Sequence, residues 1–219
     1  MKKWKVGFVV VLAAVSAHAI QTAGDLLIDI DVSSLAGKAN GQTVGYWPNA
    51  GTLGSYFTNM VPGKGPLYSA NVGGVPAVTF QAYNADSVMT NLVAVPNSIC
   101  GSDTWSFEAW VFNPSLSQTE IVFSWTARDA WPAGIPTGSC FEFRYGGDTG
   151  NAIEHYGNNV SWGMNPLPAV PPAVGQWHHV VATRDAQGRE RLYVDGQMRS
   201  FWSLPELRLR TDGIFTLGA

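Results

Sequence analysis

The chain is short of charge. Only 13% of its 219 residues are Asp, Glu, Lys or Arg, about half the usual fraction. It has no basic run beyond its first residues, and the formal net charge is −3. That balance argues against nucleic acid or an anionic membrane surface as partner. Cysteine is scarce: the two present, Cys100 and Cys140, have no C-x-x-C spacing, so neither a zinc site nor a thioredoxin-type motif is indicated. No apolar run is long enough to span a bilayer, no 18-residue stretch has helical periodicity, and no repeat is found. Missing too are G-x-S-x-G, H-E-x-x-H, a phosphate loop and EF-hand spacing. No strand carries the E-x-D-x-E or E-x-D-x-x-E pattern of paired glycosidase carboxylates.

What the chain does have is apolar and aromatic. Hydrophobic residues make up 46% and aromatics 12%, with nine tryptophans, 24 glycines and 13 prolines. This excludes a disordered chain, which would be charged and poor in aromatics. Frequent Gly/Pro punctuation suits one all-β domain with many turns.

Residues 1–19 read as a secretory signal. Lys2, Lys3 and Lys5 precede a ten-residue apolar run, Val6 to Val15, and Ala17-His18-Ala19 offers a cleavage site after Ala19. Ten helical residues cover only about 15 Å of a roughly 30 Å hydrocarbon core, so this is no membrane span. Without its three lysines the chain has ten basic against sixteen acidic residues, a charge of −6. The expected location is extracellular or periplasmic. Export permits disulfides; Cys100 and Cys140 form either one bridge or two separate thiols.

Period-two alternation and turn residues mark the strands. They are expected at 26–32, 75–80, 87–93, 105–112, 120–125, 140–145, 177–183, 189–194, 198–201 and 214–217, with short extended pieces at 45–51 (running into a turn), 152–156 and 160–164. The segment 105–112 is apolar on both faces, which reads as a strand buried on both sides. Trp105, Trp110 and Trp177 are expected in the core. His178 and His179 point to opposite faces and cannot share an ion. Asp195-Gly196 is a tight turn, with Asp195 capping its own backbone.

Val174-Gly175-Gln176-Trp177-His178-His179-Val180-Val181-Ala182-Thr183, followed by Leu192-Tyr193-Val194-Asp195-Gly196, resembles paired strands of the laminin-G-like, concanavalin-A-like jelly-roll family. Trp105 to Val111, Asp25 to Asp31, Trp47-Pro48-Asn49 and Gly73 to Phe80 are similar to its bacterial secreted members. The resemblance implies an all-β, antiparallel two-sheet jelly-roll sandwich over residues 20–219. Such domains are commonly non-catalytic and bind carbohydrate or extracellular glycoprotein, some through a rim calcium. Family domains usually continue past the T-L-G-A strand, so a missing last strand is expected, leaving the edge beside 28–32 bare and prone to association.

Candidate ligand-binding residues lie in loops: Trp131 and Asp129, then His155, Tyr156 and Trp162 around Gly157-Asn158-Asn159. Exposed rings stack on sugars, and Asn and Asp bond hydroxyls. Glu108, Glu142 and Arg144 are expected to form a polar cluster on the concave sheet, with Glu142 and Arg144 two residues apart on one face. Calcium is the candidate cofactor, with Asp129, Asp148, Asn151 and Asn84-Ala85-Asp86 as candidate oxygens. The leading expectation is a secreted recognition module with no catalytic residues. The alternatives are a glycoside hydrolase or polysaccharide lyase on the same fold, and a purely structural domain of a larger surface protein.

Overall fold

A computed structural model describes residues 26–81, 85–116, 120–125, 138–145, 150–164, 166–211 and 213–218. Among them are fourteen strands, numbered here in chain order. The first seven are β1 (Tyr46–Pro48), β2 (Tyr56–Asn59), β3 (Leu67–Val72), β4 (Val75–Thr79), β5 (Met89–Ala94), β6 (Trp105–Phe112) and β7 (Ile121–Trp125). The rest are β8 (Phe141–Arg144), β9 (Asn151–Glu154), β10 (Asn159–Ser161), β11 (Trp177–Arg184), β12 (Arg189–Val194), β13 (Gln197–Ser203) and β14 (Ile214–Leu217). No helix of the described residues is long and apolar enough to cross a membrane.

Two antiparallel sheets stack as a jelly-roll sandwich. The larger has eight strands in the order β1-β2-β5-β14-β7-β8-β9-β10, and the smaller has four, β13-β12-β11-β6. A separate hairpin, β3–β4, lies outside both sheets. The strands that return from opposite ends of the sequence are neighbours: β14 sits between β5 and β7.

Alternation assigns the faces. Trp105, Phe107 and Val111 of β6 point inward, toward Phe123 and Trp125 of β7, Phe141 and Phe143 of β8, and Phe215 of β14. Their rings interlock: Trp125 stacks on Phe141 at 3.9 Å between centroids, Phe107 lies 5.3 Å from Phe123, and Trp105 meets Phe141 edge-on at 4.9 Å. Each such ring contributes roughly 1.5–3 kcal/mol by leaving water, with something more for the edge and offset geometries.

The β11–β12 hairpin turns through Asp185 to Gly188, and Asp185 accepts from the backbone of Gln187 and Arg189 and from both Arg189 and Arg191 side chains. Burial would raise the Asp185 carboxyl, but these bonds outweigh it and hold it well below the usual carboxylate range. The β12–β13 turn has Asp195 and Gly196 at φ 51° and 75°, both left-handed, as a two-residue hairpin turn of the common type requires. Asp195 does not cap its own backbone. Its carboxylate reaches across to β11, accepting from His178 Nδ1 at 2.7 Å and His179 N at 2.9 Å.

Three expectations need correction. Residues 26–31 are not a strand. They run beside the irregular 49–53 turn, with Thr52 N donating to Leu26 O and Ala50 N to Asp29 O, and Asp31 then caps the 3-10 turn Val32–Leu35. A turn offers no regular ladder to pair with, so no strand edge forms at 28–32. Second, β6 is the edge of the small sheet rather than a strand buried on both sides, and Trp110 is 65% exposed. Third, of the tryptophans expected inside, Trp105 is in the core, whereas Trp177 is half-buried on the outer face, donating to Val72 O at 2.8 Å.

Candidate functional site

The register of the large sheet builds a site that no single segment carries. Tyr46 pairs with Thr58, Thr58 with Thr90, Thr90 with Thr216, Thr216 with Ser124, Ser124 with Glu142, Glu142 with Glu154, and Glu154 with Asn159. Each of these residues alternates with a core neighbour such as Phe57, Met89, Phe215, Phe123 or Phe141. Period two therefore puts them all on the outer face. The result is one row of hydroxyls, carboxylates and an amide crossing eight strands, about 34 Å at the usual strand spacing.

One end is aromatic. Tyr46 and Tyr56 project from the outer face of β1 and β2, with ring centroids 4.5 Å apart and exposures of 51% and 42%. Trp47 and Phe57 between them turn inward and anchor both strands. In the middle, Ser124 Oγ and Thr216 Oγ1 are hydrogen-bonded at 2.5 Å.

The other end is charged. Pairing Glu142 with Glu154 places two carboxylates directly opposite each other, which repel. Arg144, two residues along β8 on the same face, answers both. Its Nε and Nη2 donate to Glu142 Oε2 at 3.0 and 2.5 Å, and its Nη1 is ion-paired with Glu154. The Glu142 side chain is 2% exposed and that of Glu154 20%. The trio carries a net charge of −1. Beside it, at the end of the row, Asn159 Oδ1 is a buried acceptor with no partner among the described residues.

The structure sorts the expected site residues. Glu142 and Arg144 are together, but Glu108 lies on the small sheet, where His179 Nε2 contacts its Oε1 at 2.8 Å. The three-residue cluster thus dissolves, and Glu154 takes the place given to Glu108. His155 and Trp162 are not loop ligands: both are wholly buried. Tyr156 is half-buried, held at φ 48° where the chain turns toward Gly157. Trp131 and Asp129 lie outside the described residues, as do Asp148 and Asn84. Of the remaining candidate calcium oxygens, Asn151 is in β9 and Asp86 is paired with Lys64 at 3.3 Å. Among the described residues no group of three His, Cys, Asp or Glu is placed to hold a metal.

Cys100 and Cys140 are separate buried thiols, not a bridge. Cys100 Sγ donates to Arg210 O at 3.1 Å, and Cys140 Sγ to Glu154 O at 3.7 Å, so each thiol is engaged with a different stretch of chain. Burial, reinforced by the Glu142 and Glu154 charges, pushes the Cys140 thiol up to about 12. At pH 8 it is therefore protonated and a poor nucleophile. An aromatic disulfide reagent should titrate no thiol in the native protein within minutes and two after unfolding without reductant. A count of zero in the unfolded, unreduced protein would contradict this arrangement.

The polar row and the Glu142–Arg144–Glu154 trio escape a reading of the sequence because they exist only through register. Each strand does show a polar residue between two apolar ones, as in Phe123-Ser124-Trp125 and Phe215-Thr216-Leu217. Nothing local says which of them meet.

No curated protein matches the chain in sequence. Among solved structures it is similar to domain 4 of AbnA, a GH43 extracellular arabinanase from Geobacillus stearothermophilus in complex with arabinotriose, with 16% identity, a TM-score of 0.45, and 82% of this chain and 84% of that one covered. It is also similar to the botulinum neurotoxin serotype G binding domain, with 14% identity, a TM-score of 0.43, and 78% and 44% covered. The alginate lyase AlgAT5 of polysaccharide lyase family 7 follows, with 11% identity, a TM-score of 0.34, and 74% and 68% covered. In sequence, residues 85–219 match the Laminin_G_3 family profile. Through that match the chain belongs to the concanavalin A-like lectin/glucanases superfamily.

Proposed function

We propose that this domain works outside the cytoplasm, after loss of residues 1–19, as a non-catalytic module. Its ligand is carbohydrate, free or on an extracellular glycoprotein, and it binds along the polar row of the eight-stranded sheet. The observation that carries this reading is the composition of that one row. Two exposed tyrosine rings supply flat apolar surface, the hydroxyls of Thr58, Thr216 and Ser124 follow, and carboxylates and an Asn159 oxygen without a partner among the described residues close it. A sugar chain presents the complement: C–H faces that cover rings, and hydroxyls that donate and accept. A ligand hydroxyl donated to Asn159 Oδ1 would relieve an orphaned buried acceptor, a penalty of about 1–3 kcal/mol.

The non-catalytic part of the reading rests on Arg144. A glycosidase needs two carboxyl groups facing each other across the scissile bond, about 5–10 Å apart. Here the same guanidinium lies between Glu142 and Glu154 and bonds both. The runner-up is hydrolysis, favoured by the same adjacency of two acids should a ligand displace Arg144.

Calorimetric titration with neutral glucose, xylose and arabinose oligosaccharides, together with a reducing-end assay, tests both readings. At least one sugar should bind, and the double substitution Tyr46→Ala, Tyr56→Ala should weaken it at least tenfold with an unchanged melting temperature, a loss of 1.4 kcal/mol or more. Release of new reducing ends would replace the module by an enzyme. Undiminished binding by the double variant would remove the row from the site.

A further inference from the structure

The outer face of the four-stranded sheet carries a second arrangement, on the opposite side of the sandwich. Trp110 stands on it from β6, with 65% of its surface in water. Its ring is not loose. The His179 imidazole, directly opposite in the β6–β11 register, lies against it with centroids 5.0 Å apart and planes 34° off parallel. His179 is fixed in turn. Its backbone N–H donates to Asp195 Oδ1 at 2.9 Å, and its Nε2 contacts Glu108 Oε1, on Trp110's own strand, at 2.8 Å. An exposed indole is thus held in one orientation with a carboxylate and an imidazole beside it.

The rest of the face fits this reading. Glu108 pairs with Val181, Val181 with Tyr193, and Tyr193 with Met198, so Tyr193 lies on the same face two strands away, about 10 Å at the usual spacing. The Tyr193 ring is half-buried. Farther along β6 the face is closed. Phe112 and Trp177 meet at 5.6 Å, and the tip of the β3–β4 hairpin sits on them, where Gly73 leaves no room for a side chain. Toward the other end Ser106, Thr183 and Arg191 make it polar, with Arg191 over the Phe201 ring.

We infer that Trp110, with Glu108, His179 and Tyr193, forms a second carbohydrate site that takes a neutral sugar ring on the indole face. The choice of occupant follows from area and polarity. A stable protein partner needs about 800 Å² per side with a core depleted in charge. Here the exposed indole has an ionisable carboxylate and an imidazole beside it and a half-buried tyrosine two strands away, and Met198, opposite that tyrosine, is the face's other well-exposed apolar side chain among the described residues. Such a patch suits a small ligand with an apolar face and a rim of hydroxyls. The site is independent of the tyrosine row: the two lie on outward faces of different sheets and share no residue.

Nuclear magnetic resonance reads the site directly, through the indole N–H signal of Trp110, assigned by its disappearance in Trp110→Phe. Cellohexaose, xylohexaose and maltohexaose serve as probes. At least one should shift that signal saturably, in wild type and in the Tyr46→Ala, Tyr56→Ala variant alike. Trp110→Ala should lose at least tenfold in affinity at this face while melting as wild type does, as befits an exposed ring, and Tyr193→Ala should lose less. An indole signal unmoved by all three sugars overturns the inference. So does a concentration-dependent dimer in sedimentation that Trp110→Ala abolishes, since the face would then pair copies of the chain. Neither result bears on the tyrosine row, whose own variant reads it separately.

Discussion

Glu190→Ala is expected to cost about 3–5 kcal/mol of folding stability, the penalty for stripping one partner from a buried ionic network. For a domain of this size that is a fall of roughly 6–20 °C in melting temperature. Glu190 points into the sandwich from β12 with no exposed surface. Its Oε1 accepts from Arg184 Nη1 at 3.2 Å and its Oε2 faces His155 Nε2 at 3.0 Å. The other imidazole nitrogen, Nδ1, lies 2.7 Å from Cys140 O, which can only accept, so it donates. Glu190 thus ties the two sheets together, joining Arg184 of β11 to the segment that follows β9. Its removal leaves a guanidinium with no carboxylate in a space that water does not reach. Glu190→Gln keeps an acceptor for Arg184 and should lose less. Replacing Glu190 and Arg184 together by apolar residues of similar volume should recover much of the loss, because the cost lies in the uncompensated charge. Denaturant unfolding of the three variants measures this. A Glu190→Ala protein within 1 kcal/mol of wild type would show the network to be irrelevant to stability.

That network also explains why His155 misleads in the sequence. It sits between a short strand and Gly157-Asn158-Asn159, which signals an exposed turn. The local signal is right about the turn. It says nothing about Glu190, 35 residues later, whose buried carboxylate draws the imidazole inward. Trp162 misleads for a related reason. Its flanking turn residues are real, but its ring packs edge-on against Phe143 at 5.6 Å and Tyr145 at 5.4 Å. Partners distant in sequence decide which side of a strand end faces water.

Regular strands with long alternation are legible. β6 and β12 coincide with their expected bounds, and β11 runs one residue further, because eight or six residues of period two leave no competing conformation. Strands without such alternation are not. β2 has only Phe57 as an apolar anchor between polar residues, and β3 contains Ser69, Ala70 and Asn71, so neither shows a hydrophobic period. Missing β2 hides Tyr56, and with it the aromatic end of the site. β6 shows the opposite failure. Apolar residues on both faces imply burial on both sides, yet the outer ring, Trp110, meets water, with His179 lying against it. Pattern alone gives the all-β class, and the resemblance to the laminin-G-like family adds the two-sheet jelly roll. The site follows from register, which pattern does not contain.

The same dependence on register makes Arg144→Ala the second large effect. β8 and β9 pair Glu142 with Glu154, and without the guanidinium two carboxylates would oppose each other, one of them almost wholly out of water. Truncating the partner of such a charge costs about 3–5 kcal/mol. Glu142→Gln in the Arg144→Ala background should restore part of the stability at pH 7, whereas Glu142→Gln alone should destabilise by leaving Arg144 with one carboxylate. A Glu142→Gln change that restores nothing in that background would mean that Arg144 contributes packing rather than charge. The measurement also separates structure from recognition. If the Arg144→Ala, Glu142→Gln protein folds as well as wild type but loses sugar affinity, the trio binds ligand. If it keeps the affinity, the trio serves only to hold β8 against β9, and the tyrosine end of the row carries the binding alone.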